Sequence, residues 1–266
     1  MKSLRSAVIL LAGMAALRGG EAAAQPALKP ALQGLVSMGN IAFHRRDGGV
    51  PDNSLADLLA RPGIFAGVVV NVTWAELEPA PGRLDAGAID QPLAAVRAYN
   101  AKYPATPLAV HLRVWGGPNA PDWAKRLGGA PVSVLHLDMP ITIGRFWTAP
   151  YRDAWRSLQE RLARKYDSEP LIREVSNTSC ASITDEPFLL PADPLSLQHL
   201  IEAGFDSDAE RDCLAQSAKD YALWRTTRID YYFNPFRGIV GGRPQVEPEV
   251  ALAIMHQWRE QLGPRG

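Results

Sequence analysis

The first stretch that could carry chemistry is NTSCASITDEPF, residues 177–188, where Glu186 stands between Asp185 and Pro187. A carboxyl that acts as a general acid must keep its proton near neutral pH, and a partly dry site or a neighbouring carboxylate supports that state. Proline restricts the residue before it to an extended backbone, so the glutamate is held in one conformation. Such fixing suits a catalytic group and equally suits a loop corner. Glu186 is therefore the candidate acid, with a loop corner as the alternative.

A second stretch, NVTWAELEPAPG at 71–82, follows an apolar run and places Trp74 beside two glutamates. An indole ring offers a flat apolar face of the kind that stacks on a sugar ring. Glu76 and Glu78 are two residues apart, so they share one side if the strand continues through them. A solvated loop with an aromatic anchor explains the same residues. We take Trp74 and Glu76 as candidate substrate contacts.

The third stretch is HLRVWGGPNAPDW, residues 111–123. His111, Arg113 and Trp115 recur at a spacing of two, so they share one face of a regular strand. Charged side chains inside a parallel strand are costly to bury unless they are paired or line a site. A structural ion pair between Arg113 and a barrel glutamate is the alternative to substrate contact. Trp123 follows two glycines and a proline and could wall a pocket.

Two asparagines complete the candidate substrate contacts. Asn177 opens the first stretch, and Asn234 lies in YYFNPF at 231–236. An asparagine amide can bond a ligand hydroxyl, although such a residue more often caps a turn. The sequence has no serine-hydrolase, zinc-protease or phosphate-loop motif and no Cys/His cluster. It therefore predicts neither a metal nor a cofactor.

Five apolar runs alternate with helix-like segments, and these elements must position the candidates. The runs are 34–43, 64–74, 107–115, 171–179 and 228–236, and helical periodicity marks 88–103, 149–167, 207–227 and 248–263. This alternation predicts a parallel α/β sheet.

The choice is between a barrel and an open doubly wound sheet. The candidate residues follow the strands, which is where a (β/α) TIM-type barrel gathers its catalytic groups. The first strand lacks the G-x-G-x-x-G turn of an open nucleotide-binding sheet. We therefore expect an α/β TIM-type barrel, incomplete or shortened, with about five of the usual eight strand–helix units.

The N-terminus has the zones of an export signal. Lys2 and Arg5 precede an apolar run at 7–17, and small residues at 21–26 predict cleavage after Ala24. The apolar run is shorter than the roughly 20 residues that span a bilayer. We expect a signal peptide at 1–24, a linker at 25–33 and one barrel-like domain at 34–266. The protein would be secreted or periplasmic, with no membrane span.

Charge and cysteine content restrict the classes of partner and of structural site that the sequence predicts. The chain has 28 acidic and 28 basic residues and no long run of one sign, so nothing resembles a nucleic-acid footprint. Cys180 and Cys213 are too few for a disulfide scaffold or a structural zinc site. In an oxidising compartment they could form one bond, and two separate thiols fit the sequence equally well.

The order of the motifs resembles that of beta-galactosidase-like retaining glycoside hydrolases, which are (β/α)8 barrels. NVTWAELEPAPGRLDAGAID is similar to their W-x-x-x-E-P-x-x-G-x-x-D-x-x-x-I-D stretch, and LRVWGGPNAPDW is similar to their third strand and its loop. FWTAPYRDAWRSLQERLARKYDSEPLIREV looks like the helix and fourth strand that follow. The resemblance runs from about residue 64 to 188.

This resemblance implies hydrolysis of glycosidic bonds by two carboxyl groups. The family places an acid/base glutamate at the end of the fourth strand, commonly right after an asparagine, and Glu186 is the nearest match. The nucleophile is a second glutamate on the seventh strand, for which no matching strand is found. Glu76, Glu78 and Glu247 do not fall on a matching strand either.

The sequence thus supports a glycoside-hydrolase-like protein that acts on a carbohydrate. A non-catalytic carbohydrate-binding protein on a degenerate barrel is the alternative. A truncated product is a third reading, and its open sheet edge would need a partner, which makes an oligomer conceivable.

Overall fold

A computed structural model describes residues 27–38, 61–184 and 186–266. The expected signal peptide and its cleavage site after Ala24 lie outside these residues, and so does Asp185. In the part of the chain that is described, no helix is both long and apolar enough to cross a membrane.

A five-stranded parallel sheet forms the centre of the fold. Its strands, numbered in chain order, are β1 (Leu35–Ser37), β2 (Phe65–Thr73), β3 (Ala109–Trp115), β6 (Ile172–Asn177) and β7 (Arg228–Tyr231). Each of the five predicted apolar runs contributes one of these strands.

The strands stand side by side in the order in which they occur along the chain. A doubly wound sheet reverses its strand order at a switch point, whereas a barrel adds its strands in sequence. Within the described residues, β1 and β7 pair with one neighbour each and not with each other. The expectation of an incomplete TIM-type barrel with about five units is confirmed.

Seven α-helices lie in the described ranges. They are α1 (Trp74–Leu77), α2 (Gly87–Lys102), α3 (Asp122–Lys125), α4 (Ala149–Tyr166), α5 (Pro194–Glu202), α6 (Ser207–Gln216) and α7 (Pro248–Leu262). The helix expected at 207–227 ends earlier than predicted, at Gln216, and a 3₁₀ turn continues over Ser217–Tyr221.

Two antiparallel hairpins are attached to the parallel sheet. The first joins β4 (Val132–His136) to β5 (Met139–Ile143), and the second joins β8 (Arg237–Val240) to β9 (Arg243–Val246). Neither hairpin was expected from the sequence pattern.

The two faces of the parallel sheet differ in chemistry. One face, called here the outer face, carries Val70, Leu112, Val175 and Ile229, all buried in the main hydrophobic core with residues of the helices. The opposite face, the inner face, carries polar and charged side chains. A complete barrel fills its interior with branched apolar residues. The inner face of this half-barrel differs from such an interior because it is polar, and it is therefore the candidate site.

The segment before β1 runs against the far strands of the sheet. The Lys29 ammonium donates to the Ile172 carbonyl and to the Thr227 hydroxyl, each at 2.8 Å. The Leu32 amide donates to the Glu174 carboxylate at 2.9 Å. Residues 27–33, part of the expected linker, are thus bonded to the sheet.

Candidate functional site on the inner face of the sheet

Strand register brings the ionisable side chains of the inner face together. His111 of β3 stands opposite Glu174 of β6, and Ser176 of β6 stands opposite Asp230 of β7. Because side chains alternate along a strand, these groups point to the same side. Three adjacent strands thus supply one continuous polar cluster.

His111 is the centre of this cluster. Its Nε2 atom lies 2.6 Å from the Ser176 hydroxyl and 3.0 Å from a carboxylate oxygen of Asp230. Its Nδ1 atom lies 3.8 Å from Glu174, too far for a hydrogen bond. The serine and the aspartate share one ring nitrogen, so the arrangement is not that of a Ser-His-Asp triad, which uses both nitrogens.

Arg113 extends the cluster towards the carboxyl end of the strands. Its guanidinium donates to the Tyr232 hydroxyl and lies over the Tyr232 ring, 4.7 Å from the centroid. Burial raises the pKa of Tyr232, and the charge of Asp230 adds to the rise. The phenol is therefore a neutral hydrogen-bonding group that links Arg113 to the strand of Asp230.

Trp115 and Asn71 lie at the carboxyl ends of β3 and β2. The Trp115 indole N–H donates to the Asn71 side-chain carbonyl at 3.1 Å, and Trp115 is only partly buried. The hydrogen bond fixes the plane of the ring. Of the predicted aromatic contacts, Trp115 is the one that shares a face with His111 and Arg113.

Glu186 and Asn234 meet beyond the end of β7. The Asn234 amide donates to the Glu186 carboxylate at 3.2 Å and to the Pro187 carbonyl at 3.4 Å. Phe188 packs against Tyr231 and Phe233, with ring centroids 5.8 and 5.7 Å apart. The loop that carries Glu186 is therefore anchored to the end of β7, although it departs from the end of β6.

Trp74 does not occupy the position expected of a sugar platform. It is fully buried, with its ring edge-on to Trp123, Tyr151 and Trp155 at 5.1 to 5.7 Å. No face of the ring is open to a ligand, so this placement corrects the sugar-stacking expectation. Trp123 packs in the same cluster and donates its indole N–H to the Glu78 carbonyl at 2.9 Å.

Glu76 and Glu78 have structural partners. The strand ends at Thr73, and Glu76 closes a capping box with that residue at the start of α1. Glu78 is buried and binds Arg161, the Trp74 indole N–H at 2.9 Å and the Gly82 amide at 2.6 Å. The strand does not continue through them, so the condition for a shared strand face is not met for this pair.

Asn177 lies on the helix-covered side of the sheet, opposite Tyr231 in register. It is fully buried, donates to the Ser217 hydroxyl at 3.0 Å and accepts from the Ser179 amide at 2.9 Å. Its amide fixes the chain at the end of β6. A role in lining the cleft does not fit this position.

The loop after β6 is fastened by a disulfide and by a buried carboxyl. Cys180 is bonded to Cys213 of α6, which decides between the two states that the sequence left open. Asp220 accepts from the Ser179 hydroxyl at 2.8 Å and from Arg156 at 3.1 Å. Burial raises the pKa of Asp220 to about 6, against the opposing effects of these two partners.

Four inner-face residues were not found from the sequence: Glu174, Ser176, Asp230 and Tyr232. Each lies in a run with the same two-residue alternation as His111 and Arg113, in REVSN and in RIDYY. That alternation was the available signal. Within the described ranges, no group of three or more His, Cys, Asp and Glu side chains is arranged to hold a metal ion.

No protein-family model matches the sequence, and no curated protein does either. Solved structures with similarity include endo-glycoceramidase II from Rhodococcus sp., at 15% identity and a TM-score of 0.47, covering 90% of this chain and 62% of that one. An endogalactoceramidase matches at 18% identity and a TM-score of 0.43, over 77% of this chain and 49% of that one. A further glycoside hydrolase matches at 11% identity and a TM-score of 0.41, over 86% and 74%.

This chain thus spans about 62% of the length of the endo-glycoceramidase II structure. One of these solved structures is described as a glycoside hydrolase, the class that the order of the sequence motifs resembles.

Proposed function

We propose that this chain is an exported glycoside-hydrolase-like protein that binds a carbohydrate on the inner face of its half-barrel and cleaves a glycosidic bond, with Glu186 as acid/base. One observation carries the proposal: the inner face is lined by hydrogen-bonding side chains where a closed barrel would be packed with apolar ones.

The inner face has the groups that sugar hydroxyls need. A sugar hydroxyl both donates and accepts, and Asp230 supplies an acceptor while Arg113 supplies donors. Trp115 adds an aromatic ring at the carboxyl end of the strands. This combination of a few placed polar groups beside an aromatic side chain is typical of a small-molecule site.

Glu186 is the carboxyl best placed for proton transfer among the residues predicted from the sequence. It is partly exposed, and one of its oxygens accepts from Asn234, which leaves the other for a leaving group. Its loop is anchored beside β7 through Phe188, at the carboxyl end of the strands, which is where catalytic groups of barrels gather.

Export is supported by the order of zones in residues 1–24 and by the Cys180–Cys213 bond. Disulfides persist in oxidising compartments and are rare in the cytosol of mesophiles. Cell fractionation with N-terminal sequencing tests this, and we expect a mature protein that begins at Gln25.

The catalytic proposal is tested with the purified chain on aryl glycosides and oligosaccharides. General acid catalysis contributes about 10²- to 10⁴-fold, so Glu186→Gln is expected to lower kcat by that factor on substrates with poor leaving groups. Dinitrophenyl glycosides need little protonation and should lose far less. Glu260→Gln, at an exposed position on α7, is the matched control and should behave as the unaltered protein.

A second function, carbohydrate binding without hydrolysis, is favoured by the end of β6. The residue directly after Asn177 is Thr178, which is buried and donates its hydroxyl to the Val114 carbonyl. In the glycoside hydrolases that the sequence resembles, the acid/base glutamate commonly stands at this position, directly after the asparagine.

The same measurements separate the two functions. If calorimetry detects binding of an oligosaccharide, no turnover is seen and Glu186→Gln does not change the affinity, the protein binds carbohydrate without hydrolysing it. A chain that neither binds nor cleaves any glycan would contradict both.

A further inference from the structure

Glycosidase chemistry of the proposed kind needs two carboxyl groups, and Glu186 supplies one. Glu76 caps the start of α1, and Glu78 forms an ion pair with Arg161. Glu247 forms an ion pair with Arg211 at 2.6 Å. The inner face itself offers two further carboxylates, Glu174 and Asp230, on either side of the His111 ring.

Asp230 is the more open of these two carboxylates. Its side chain is 30% exposed, against 19% for Glu174. Glu174 also accepts the Leu32 amide at 2.9 Å, which ties it to the segment before β1. Asp230 is therefore the inner-face carboxylate that a ligand can reach.

The surroundings of Asp230 orient its carboxylate. His111 Nε2 lies 3.0 Å from one oxygen, and the Ser176 hydroxyl lies 3.4 Å from the other. Ser176 lies on β6, the strand next to β7, and His111 lies on β3, one strand further, so both contacts come from rigid elements of the sheet. A reacting group needs this kind of support, because small displacements of a nucleophile cost large factors in rate.

Asp230 and Glu186 also belong to the same end of the sheet. Asp230 lies near the end of β7, and Asn234, four residues further along, holds Glu186. Phe188 packs on Tyr231, whose side chain points to the helix-covered face, so this contact fixes the loop at the end of β7 without fixing it on the inner face. The loop after β6 and the end of β7 thus present one carboxyl each.

We propose that Asp230 is the nucleophile of the glycosidase reaction, an inference that rests on the proposed function. An oxygen of Asp230 forms a bond to the anomeric carbon while the bond from that carbon to the leaving oxygen breaks. The leaving oxygen takes the proton of Glu186. Water then attacks the anomeric carbon, Glu186 accepts a proton from that water, and the Asp230 carboxylate leaves. His111 and Ser176 are positioning residues that hold the carboxylate.

The test is covalent trapping with a dinitrophenyl 2-deoxy-2-fluoroglycoside of the sugar that the full chain hydrolyses. Trypsin cuts after Arg228 and Arg237 and releases IDYYFNPFR, in which Asp230 is the one acidic residue. Glu174 and Glu186 share a different tryptic peptide, EVSNTSCASITDEPF and its continuation. A fluoroglycosyl mass on peptide 229–237 therefore assigns the nucleophile without further fragmentation.

Substitutions extend the test to turnover. Asp230→Asn is expected to abolish labelling and to lower kcat on the order of 10⁴-fold or more, as the loss of a nucleophile does. Glu174→Gln, on the other side of the same imidazole, is the matched control and should still be labelled. Labelling of the unaltered protein keeps the proposal falsifiable if Asp230→Asn does not fold.

The outcomes are distinct. A label on any other peptide, or turnover with no covalent intermediate, overturns the role of Asp230 and leaves the glycosidase function standing. The absence of any hydrolysis or inactivation overturns both the proposed hydrolase function and the role of Asp230.

Discussion

The buried carboxyl of Glu210 should make the stability of this protein depend on pH. Glu210 is 1% exposed on the packed side of α6, and burial raises its pKa from 4.5 to about 8 against the opposing charge of Arg211. The native state thus keeps a proton that the unfolded chain releases above pH 4.5. Stability therefore falls as pH rises from about 4.5 to about 8 and is flat on either side.

The size of the effect follows from these two pKa values. Each pH unit is worth about 1.4 kcal/mol in this interval. Holding the proton costs about 3 kcal/mol at pH 7, and burying the charge costs about 5 kcal/mol at pH 9. Glu210→Gln is neutral in both states, so it should be more stable than the unaltered protein by less than 1 kcal/mol at pH 5, about 3 at pH 7 and about 5 at pH 9.

Urea unfolding followed by tryptophan fluorescence at these three pH values measures the difference, with the disulfide intact. Glu260→Gln, exposed on α7, is the control and should show no such trend. A stability difference between Glu210→Gln and the unaltered protein that stays constant from pH 5 to pH 9 would refute the reasoning.

Two further predictions concern links between elements. Replacing Cys180 and Cys213 by serine removes a cross-link between residues at a sequence separation of 33. By the chain-entropy relation this should lower the free energy of unfolding by about 4 kcal/mol, and reduction of the unaltered protein should lower it equally. An unchanged urea midpoint would contradict this. Arg161→Met leaves the buried Glu78 carboxylate without its cation and should cost about 3–5 kcal/mol, whereas Arg164→Met, on the exposed face of the same helix, should cost less than about 1. Equal losses in the two arginine variants would be inconsistent with the burial of that pair.

The parallel sheet was predictable because its strands are buried on at least one face and read as apolar runs between turn residues. The hairpins were harder. The turn of the first one, at Leu137 and Asp138, has φ of 49° and 60° without a glycine, so no turn signal appears in its sequence. The second one turns at Gly241 and Gly242, with φ of 57° and 75°, a pair that does mark a tight hairpin.

The site was predictable in part. The spacing of His111 and Arg113 indicates a shared face, and they do share one. The spacing within one strand says nothing about which strands are neighbours, so Glu174 and Asp230 were not connected to His111. Trp74 was misplaced because the Thr73–Glu76 capping box converts the end of a strand pattern into a helix start.

The bonds of Lys29 have a consequence for the order in which the molecule folds. Its ammonium bonds to residues 143 and 198 positions further along the chain, and its own carbonyl accepts from Arg228 at 3.2 Å. Closing so long a loop costs more entropy than pairing two consecutive strands. The consecutive strands can therefore associate first, and the segment before β1 then binds to the assembled sheet. The first part of the described chain to be synthesised is then among the last to reach its place.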